Sequence, residues 1–423
     1  MTFEDFSSAH LTVLLSVFAI AFIMGAIVNK TNFCTMGAVS DMVNIGDNSR
    51  MRAWLLAMAV AIIGVVFFEL SGVASVDSTL PPYRGSNFAW LEYILGGFLF
   101  GIGMTLGSGC GNKSLIRIGG GNLKSIILFI VISVFAYFMI NPFPGSDNTI
   151  YSLVFHPWTN PTAVSLSTQQ DMGSVIGNIF GTDTGSTRAI IGLLLAVILL
   201  WFIFKSAEFR NSFDNKLGGL TVGVAVLAAW FATSGMVTIN AEDELFTWTE
   251  YASTESWDMM EDNASDRPRD VAVQSFTFIN PIGQTTRYAT KSFDSAYLTA
   301  GVVAVLGVIL GSFIWSIISK AFRIEWFVDL KDFTTHIIGG ILMGVGGVLA
   351  LGCTIGQGIT GVSTLSMGSV LALVSIIFGS ALTMKIQYYK MMHEGDATFF
   401  KALISSLVDF KLLPEKLRSL ENF

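Results

Sequence analysis

The sequence predicts an all-α polytopic membrane protein with about nine transmembrane helices, and three observations support this prediction. Hydrophobic residues make up 52% of the 423 residues and charged residues only 13%, about half of the roughly 25% found in average soluble proteins. Nine apolar segments are each long enough to cross about 30 Å of hydrocarbon. The mean hydropathy is +0.62. A soluble fold of this size could not hide so much apolar surface from water.

The nine spans define the order of the elements along the chain. Basic residues cluster after spans one, three, five and seven and in the C-terminal tail. The positive-inside rule therefore predicts a multi-pass membrane protein with its N-terminus outside and its C-terminus in the cytoplasm. The predicted spans lie near residues 11–29, 53–72, 89–106, 125–141, 188–205, 218–239, 296–317, 335–351 and 369–388.

Between and around the spans, the chain divides into five regions. Two long polar stretches fall on the outer side, where we expect partly ordered caps; the alternative is a solvated surface without chemistry. The predicted regions are an N-terminal transmembrane repeat (1–142), an external loop (143–187), a connecting span (188–216), a C-terminal inverted transmembrane repeat (217–390) with an external insertion (240–295), and a cytoplasmic amphipathic tail (391–423).

Charge and cysteine content exclude several classes of protein. The net charge of −7 gives no indication of nucleic-acid binding. The three cysteines are an odd number and lie far apart, which excludes a disulfide framework, a CxxC redox pair and a clustered thiolate metal site. The four histidines share no metal-ligand spacing, so no metal or other cofactor is expected. The N-terminus carries two acids before the first apolar segment, unlike a cleavable signal peptide.

Glycine-rich segments reveal an internal repeat. The segment from Gly96 to Cys110 aligns without a gap with the segment from Gly339 to Cys353. A glycine lies nine residues before each cysteine. Three copies also share Thr and Gly at the same offsets: Cys34-Thr-Met-Gly37, Ala232-Thr-Ser-Gly235 and Cys353-Thr-Ile-Gly356. The chain therefore contains four copies of one unit in which a loop follows a helix, and three copies keep a cysteine.

The orientation of the copies indicates a transporter. Spans one and three run inward, whereas spans six and eight run outward, so two repeats of four spans are inverted and joined by a connecting span. Inverted repeats with glycine-interrupted segments, expected here as short re-entrant or half helices, point to a solute site near the midplane. The alternative is that the glycines are close helix contacts and the cysteines small apolar fillers.

At these residues the sequence resembles the YeeE/YedE family of sulphur-transport membrane proteins. The resemblance implies a similar architecture over most of the chain, uptake of thiosulfate, and a separate cytosolic sulphur carrier of the TusA type as a partner. The motifs that carry it are Asn32-Phe-Cys34-Thr-Met-Gly37, Gly107-Ser-Gly-Cys110-Gly-Asn-Lys113, Arg117-Ile-Gly-Gly-Gly-Asn-Leu-Lys-Ser125 and Leu351-Gly-Cys353-Thr-Ile-Gly-Gln-Gly358.

Thiosulfate has three hard oxygens and one soft terminal sulphur, so a selective route needs polarizable groups as well as hydrogen-bond donors. Thiols at Cys34, Cys110 and Cys353 could pass the sulphur along through several weak contacts. Glycine-rich turns and helix N-termini would supply N–H groups for the oxygens. The remaining candidates are Thr35, Gly111, Asn112, Lys113, Ser114, Arg117, Ala232, Thr354, Gly356 and Gln357, with Gly119, Gly120, Gly121 and Gly358 as further backbone donors.

Two candidates have a specific alternative, and a third occupies a special position in the repeat. Lys113 could attract the anion and activate a thiol, but Lys113 and Arg117 could equally be interfacial anchors. Ala232 occupies the repeat position that holds a cysteine elsewhere, and we expect it near the outer entrance of the route.

Rival functions are a transporter for another sulphur or selenium species and a membrane thiol enzyme that forms cysteine persulfide for a cytosolic acceptor. The absence of a CxxC pair and of a nucleotide motif favours a transporter over an enzyme. The energy source is open, since both a channel-like and an ion-coupled route fit the sequence.

Overall fold

The computed structural model describes residues 1–241, 244–253, 257, 267–393 and 395–420, and it confirms the all-α polytopic prediction. Nine helical segments within these residues are long and apolar enough to cross a membrane. The helices are α1 (Phe6–Thr31), α2 (Thr35–Ser40), α3 (Ser49–Ser71), α4 (Trp90–Leu106), α5 (Gly111–Gly119), α6 (Leu123–Ile140), α7 (His156–Thr159), α8 (Met172–Phe180), α9 (Thr184–Phe204), α10 (Ala207–Asn211), α11 (Phe213–Ser234), α12 (Trp248–Tyr251), α13 (Ile279–Thr290), α14 (Ala300–Ile318), α15 (Leu330–Leu349), α16 (Met367–Met392) and α17 (Phe399–Asp409).

The two ends of the helix bundle differ in the chain segments that cover them. We call one end the loop face, formed by residues 72–89, 141–183 and the described parts of 235–270 and 291–299. The opposite end, the basic face, is formed by residues 41–48, 205–212, 319–329 and 395–420. The acidic runs at 242–244 and 261–262 fall mainly outside the described residues.

Short β-strands connect different segments of the loop face. β1 (Thr2–Phe3) pairs in parallel with β4 (Thr238–Ala241), which pairs antiparallel with β5 (Glu244–Thr247). β2 (Asn87–Phe88) pairs antiparallel with β3 (Val164–Ser165). The polar stretches of the loop face are therefore partly ordered, and one of them holds the N-terminus.

Close glycine contacts bring helices of the two halves together. A Cβ atom built at Gly97 of α4 would lie 2.6 Å from the Ala372 carbonyl oxygen of α16. One built at Gly219 of α11 would lie 2.5 Å from the Ala53 carbonyl oxygen of α3. These distances are shorter than side chains allow, so the glycines of the long helices are packing contacts, as the alternative interpretation of the sequence proposed.

Four short helical segments, which we call the half-helices, interrupt the long ones. They are α2, which continues as a π-helix (Asp41–Ile45), α5, α13, and the segment 354–363, whose central part is a π-helix (Gly356–Gly361). The first helical hydrogen bond of each half-helix is donated by a backbone amide to the carbonyl oxygen of the residue four positions earlier. In three of the half-helices this accepting residue is a cysteine.

The half-helix α13 lies inside the segment 240–295, which the sequence analysis assigned to an external insertion. Gly283 of α13 packs against Ala136 of α6, so this part of the segment lies within the bundle. Its sequence contains Asn280, Gln284 and Arg287 and lacks the apolar character of a span. Because protein rather than lipid surrounds a half-helix, it needs no continuous apolar surface. Within the segment 240–295, the positions 242–243, 254–256 and 258–266 lie outside the described residues.

The region 188–216 and the C-terminal tail contain three further helices. The long helix α9 is followed by α10 at the basic face. In the tail, α17 is amphipathic and packs on α16. The Tyr389 hydroxyl donates to the Asp409 carboxylate at 2.8 Å, and Lys385 forms an ion pair with the same group at 3.3 Å.

Candidate functional site

Each cysteine lies at the start of a half-helix, at the same position of the repeat. Cys34 is the N-cap of α2, Cys110 is the N-cap of α5, and Cys353 directly precedes the segment 354–363. Their carbonyl oxygens accept from the amides four residues onward at 3.0, 2.9 and 2.8 Å. The thiols are buried, with exposed fractions of 7%, 2% and 0%.

A left-handed residue precedes each cysteine by two positions. Asn32, Ser108 and Leu351 have φ angles of 52°, 57° and 58°. A residue in this conformation ends a helix, because it turns the chain away from the helix axis. The break between each long helix and its half-helix is thus built in the same way three times.

The N-termini of the half-helices meet near the centre of the bundle. The Cys110 thiol interacts electrostatically with both Cys34 and Cys353 and faces the Thr354 hydroxyl. A Cβ atom built at Gly111, beside Cys110, would lie 3.0 Å from the Ile279 side chain at the start of α13. Helix N-termini carry unpaired N–H groups and a partial positive charge, so their convergence favours an anion.

Basic side chains lie on the basic-face side of this centre. The Lys113 ammonium donates to the Asn32 side-chain oxygen at 2.6 Å, and it interacts with the Cys34 and Cys110 thiols. The Arg117 guanidinium donates to the Ser108 carbonyl at 2.7 Å. Both therefore contact the left-handed residues before Cys34 and Cys110, a position that an interfacial anchor does not require.

Several buried polar atoms around the thiols lack a hydrogen-bond partner among the described residues. Leaving a buried polar atom unpaired costs about 1–3 kcal/mol, so a group of them calls for a polar occupant such as an anion or water. They are Thr35 Oγ1, Asn112 Oδ1, Thr277 Oγ1, Thr354 Oγ1, Gln357 Oε1 and the Tyr83 hydroxyl.

Most of the predicted site residues come together at this centre. The group contains Cys34, Thr35, Cys110, Gly111, Asn112, Lys113, Cys353, Thr354, Gly356 and Gln357. Ser114 and Arg117 lie farther along α5, where the Ser114 hydroxyl donates to the Cys110 carbonyl at 3.1 Å.

The glycines after Arg117 lie elsewhere. Gly119 packs against α14, where a Cβ atom would lie 2.5 Å from the Ile309 carbonyl oxygen, and Gly120 and Gly121 follow it at the end of α5. Gly358 packs against Trp54.

Ala232 differs from the three cysteines in its place within the local structure. It is buried inside α11, whereas the cysteines precede half-helices. The equivalent residue of the fourth half-helix is Phe278, the N-cap of α13, whose carbonyl accepts from the Ile282 amide at 3.0 Å. Residues 235–277 separate α11 from its half-helix, and this insertion hid the correspondence.

On the loop-face side, an ion-pair network missing from the sequence predictions surrounds two arginines. Arg84 is 1% exposed, donates to the Thr364 carbonyl at 3.1 Å, and pairs with Asp77 at 3.0 Å and with Glu69. Since Thr364 directly follows the segment 354–363, Arg84 holds the loop-face end of that half-helix. The sequence contained one signal for Arg84: it is the one basic residue in the connection between the second and third spans.

The second arginine connects this network to the polar stretch 141–183. Arg188 pairs with Asp171 and with Asp77, both at 3.0 Å. Burial alone would raise the pKa of Asp171, but hydrogen bonds from Arg188 and Ser174 and the charge of Arg84 hold it below its usual value. Asp171 also pairs with Ser366 in an isolated β-bridge, so the stretch is fixed to the turn before α16.

Comparison with known proteins identifies the family of the chain. The profile of the family described as "Sulphur transport" matches residues 30–382, which include all three cysteines. A thiosulfate transporter TsuA of Escherichia coli (strain K12) is 26% identical over 362 residues, 84% of this chain and 90% of that protein. A thiosulfate transporter TsuA of Spirochaeta thermophila is 23% identical over 368 residues, 85% of this chain and 95% of that protein. The chain therefore belongs to the sulphur-transport family.

Proposed function

We propose that the protein takes up thiosulfate across the bacterial inner membrane along Cys353, Cys110 and Cys34. The observation that carries this proposal is the meeting of three buried thiols with the N-termini of half-helices at the centre of the bundle. The names of the two TsuA relatives support thiosulfate as the substrate.

The groups at the centre match the two ends of the anion. The terminal sulphur of thiosulfate is soft, and thiols offer it a polarizable surface with a weak S–H donor. The three oxygens require N–H and O–H donors once water is left behind, and helix N-termini provide them. Several weak stations allow an anion to move on, whereas one tight site would retain it. The buried thiols imply that the half-helices or their side chains move during passage.

The proposed direction follows from the distribution of charge. The basic face would be cytoplasmic, since membrane proteins concentrate Lys and Arg on that side. Lys113 and Arg117 would then attract the anion toward the cytoplasm, and the N-terminus at the loop face would be periplasmic. A reporter fused after Asn263, which lies outside the described residues, should accordingly behave as periplasmic.

We propose that a separate cytosolic sulphur carrier of the TusA type is the partner of the protein and binds at the basic face. Family resemblance supports this partner, and the basic residues near Cys34 would guide thiosulfate to that side. A pull-down with the purified carrier tests the contact.

Uptake of thiosulfate labelled at either sulphur into proteoliposomes tests the proposed function. Both labels should accumulate inside at equal rates, and the Cys34→Ala variant should take up less of each. Accumulation of only one label, together with a gain of about 32 Da on a cysteine-containing peptide, would instead identify an enzyme that forms persulfide. Uptake under imposed ion or proton gradients shows in the same system whether transport is coupled.

A further inference from the structure

The fourth half-helix brings a hydroxyl group, rather than a thiol, to the centre of the bundle. Thr277 immediately precedes the N-cap Phe278 and is 3% exposed. A Cβ atom built at Gly352 would lie 3.4 Å from Thr277 Oγ1, and one built at Gly356 would lie 2.8 Å from Thr277 Cβ. Because these glycines lie on either side of Cys353 in the chain, the Thr277 hydroxyl lies over the turn that holds this thiol.

The Tyr83 hydroxyl lies beside the same thiol. Tyr83 is 2% exposed, and its phenol approaches both Thr277 and Cys353. Its ring contacts the edge of Trp230, with ring centroids 6.4 Å apart and an angle of 81°, and it also packs against Gly361. Packing on two sides of the ring fixes the direction of the hydroxyl.

Neither hydroxyl oxygen has a hydrogen-bond partner of normal geometry among the described residues. Two buried hydroxyl groups side by side would ordinarily be satisfied by each other or by a carbonyl. Backbone amides add donors at the same place, since the Gly356 amide lies 3.4 Å from the Cys353 sulphur and the Phe278 and Ile355 amides also point toward it. The site therefore offers donors from two half-helices around one soft sulphur.

We propose that Thr277 and Tyr83 form an oxygen-binding station beside Cys353, which holds the hard end of a tetrahedral sulphur oxyanion while the thiol meets the soft end. This inference rests on the proposed function and deepens it. Tyr83 belongs to the loop face, so this is the first station that an anion from that side reaches. The station accepts oxygens without regard to the fourth substituent, and selection against sulfate is left to the thiols.

Sulfate is therefore the probe that separates the two kinds of contact, because it has the oxygens and lacks the soft sulphur. Binding of thiosulfate and of sulfate to purified full-length protein is measured by calorimetry at constant ionic strength. The wild type should bind both anions, and sulfate more weakly. Thr277→Val and Tyr83→Phe should each weaken both anions about ten-fold or more, as expected for the loss of a hydrogen bond to a charged group.

Three further variants supply the controls. Thr277→Ser keeps the hydroxyl and should bind both anions as the wild type does. Cys353→Ala should lose thiosulfate affinity and keep sulfate affinity. Tyr93→Phe removes another buried phenol, one that pairs with Gln170, and should leave both affinities unchanged.

The outcomes are distinguishable. Wild-type protein that binds neither anion contradicts the proposed function itself. If the wild type binds thiosulfate but not sulfate, the oxygen-binding station is overturned. The same holds if Thr277→Val and Tyr83→Phe bind both anions as tightly as the wild type. In either case the proposed transport of thiosulfate still stands. If Thr277→Val fails to fold, Tyr83→Phe decides the question alone, because it removes only the hydroxyl and keeps the ring that packs against Trp230 and Gly361.

Discussion

The contact between Gly356 and Thr277 predicts how sensitive the centre is to one added methyl group. A Cβ atom at position 356 would lie 2.8 Å from Thr277 Cβ and closer still to Oγ1, whereas ordinary contacts begin near 3.4 Å. Even if the Thr277 hydroxyl rotates away, Gly356→Ala must therefore push the two half-helices apart by about 0.6 Å, the difference between 2.8 and 3.4 Å. Overpacking of a well-packed site costs about 1–3 kcal/mol. Functional sites tolerate displacements of only about 0.5 Å.

We expect Gly356→Ala to lower the thermal stability of the purified protein and to reduce thiosulfate uptake more than ten-fold, with Cys353 intact. The matched control is Gly185→Ala at the exposed start of α9, where a Cβ atom would meet nothing closer than 3.5 Å. That variant should stay within about 0.5 kcal/mol of the wild type and transport normally.

A second substitution shows whether the contact itself is responsible. Thr277→Ala removes the nearest atom to position 356, so the double variant Gly356→Ala/Thr277→Ala should recover part of the lost stability. Uptake should stay low, because the hydroxyl is gone. Wild-type stability and uptake in Gly356→Ala would refute the close approach of the two half-helices and the geometry of the centre derived from it.

Three further predictions follow from other parts of the molecule. Cys110→Ala and Cys353→Ala should each abolish growth on thiosulfate as the sole sulphur source with protein still in the membrane, and near-normal uptake by the double variant would end the thiol route. Reporter fusions should be periplasmic after Asp147 and cytoplasmic after Glu415; the opposite pattern would reverse the proposed sidedness. The pKa of Asp171 lies below its usual value of 3.8, so its ionised form stabilises the loop face fully above about pH 4, and this contribution is lost as pH falls through the lowered pKa. Asp171→Asn should cost about 3 kcal/mol at pH 7 and flatten the acid side of a thermal-stability profile; an unchanged profile would show that the network contributes nothing.

Much of the site could be predicted because it repeats in the sequence. Asn32, Ser108 and Leu351 share one backbone conformation, and each precedes a cysteine by two residues. A local break of this kind depends on neighbouring residues alone, so identical spacing in the sequence gives identical turns in the structure. Lys113 was predictable for the same reason, since it lies on the half-helix that Cys110 starts.

The fourth copy could not be predicted in this way. The insertion between α11 and α13 breaks the spacing, and the match of Thr233 and Gly235 with the other copies pointed to Ala232. Only the packed structure shows that Phe278 begins the fourth half-helix. Thr277 carries no motif, and its relation to Cys353 exists only because two half-helices from distant parts of the chain meet.

The sequence by itself determined the number of spans and the places of the three thiols. Spanning a bilayer requires about 20 apolar residues, a requirement that each segment meets alone and that is visible without a fold. Tertiary structure decided which polar groups lie beside the thiols and at the ends of the half-helices: Tyr83 from a connection, Thr277 from the insertion, and Arg84 at the loop-face end of the segment 354–363. Protein shields these groups from lipid, so no local pattern marks them, and their positions depend on contacts between segments far apart in the chain.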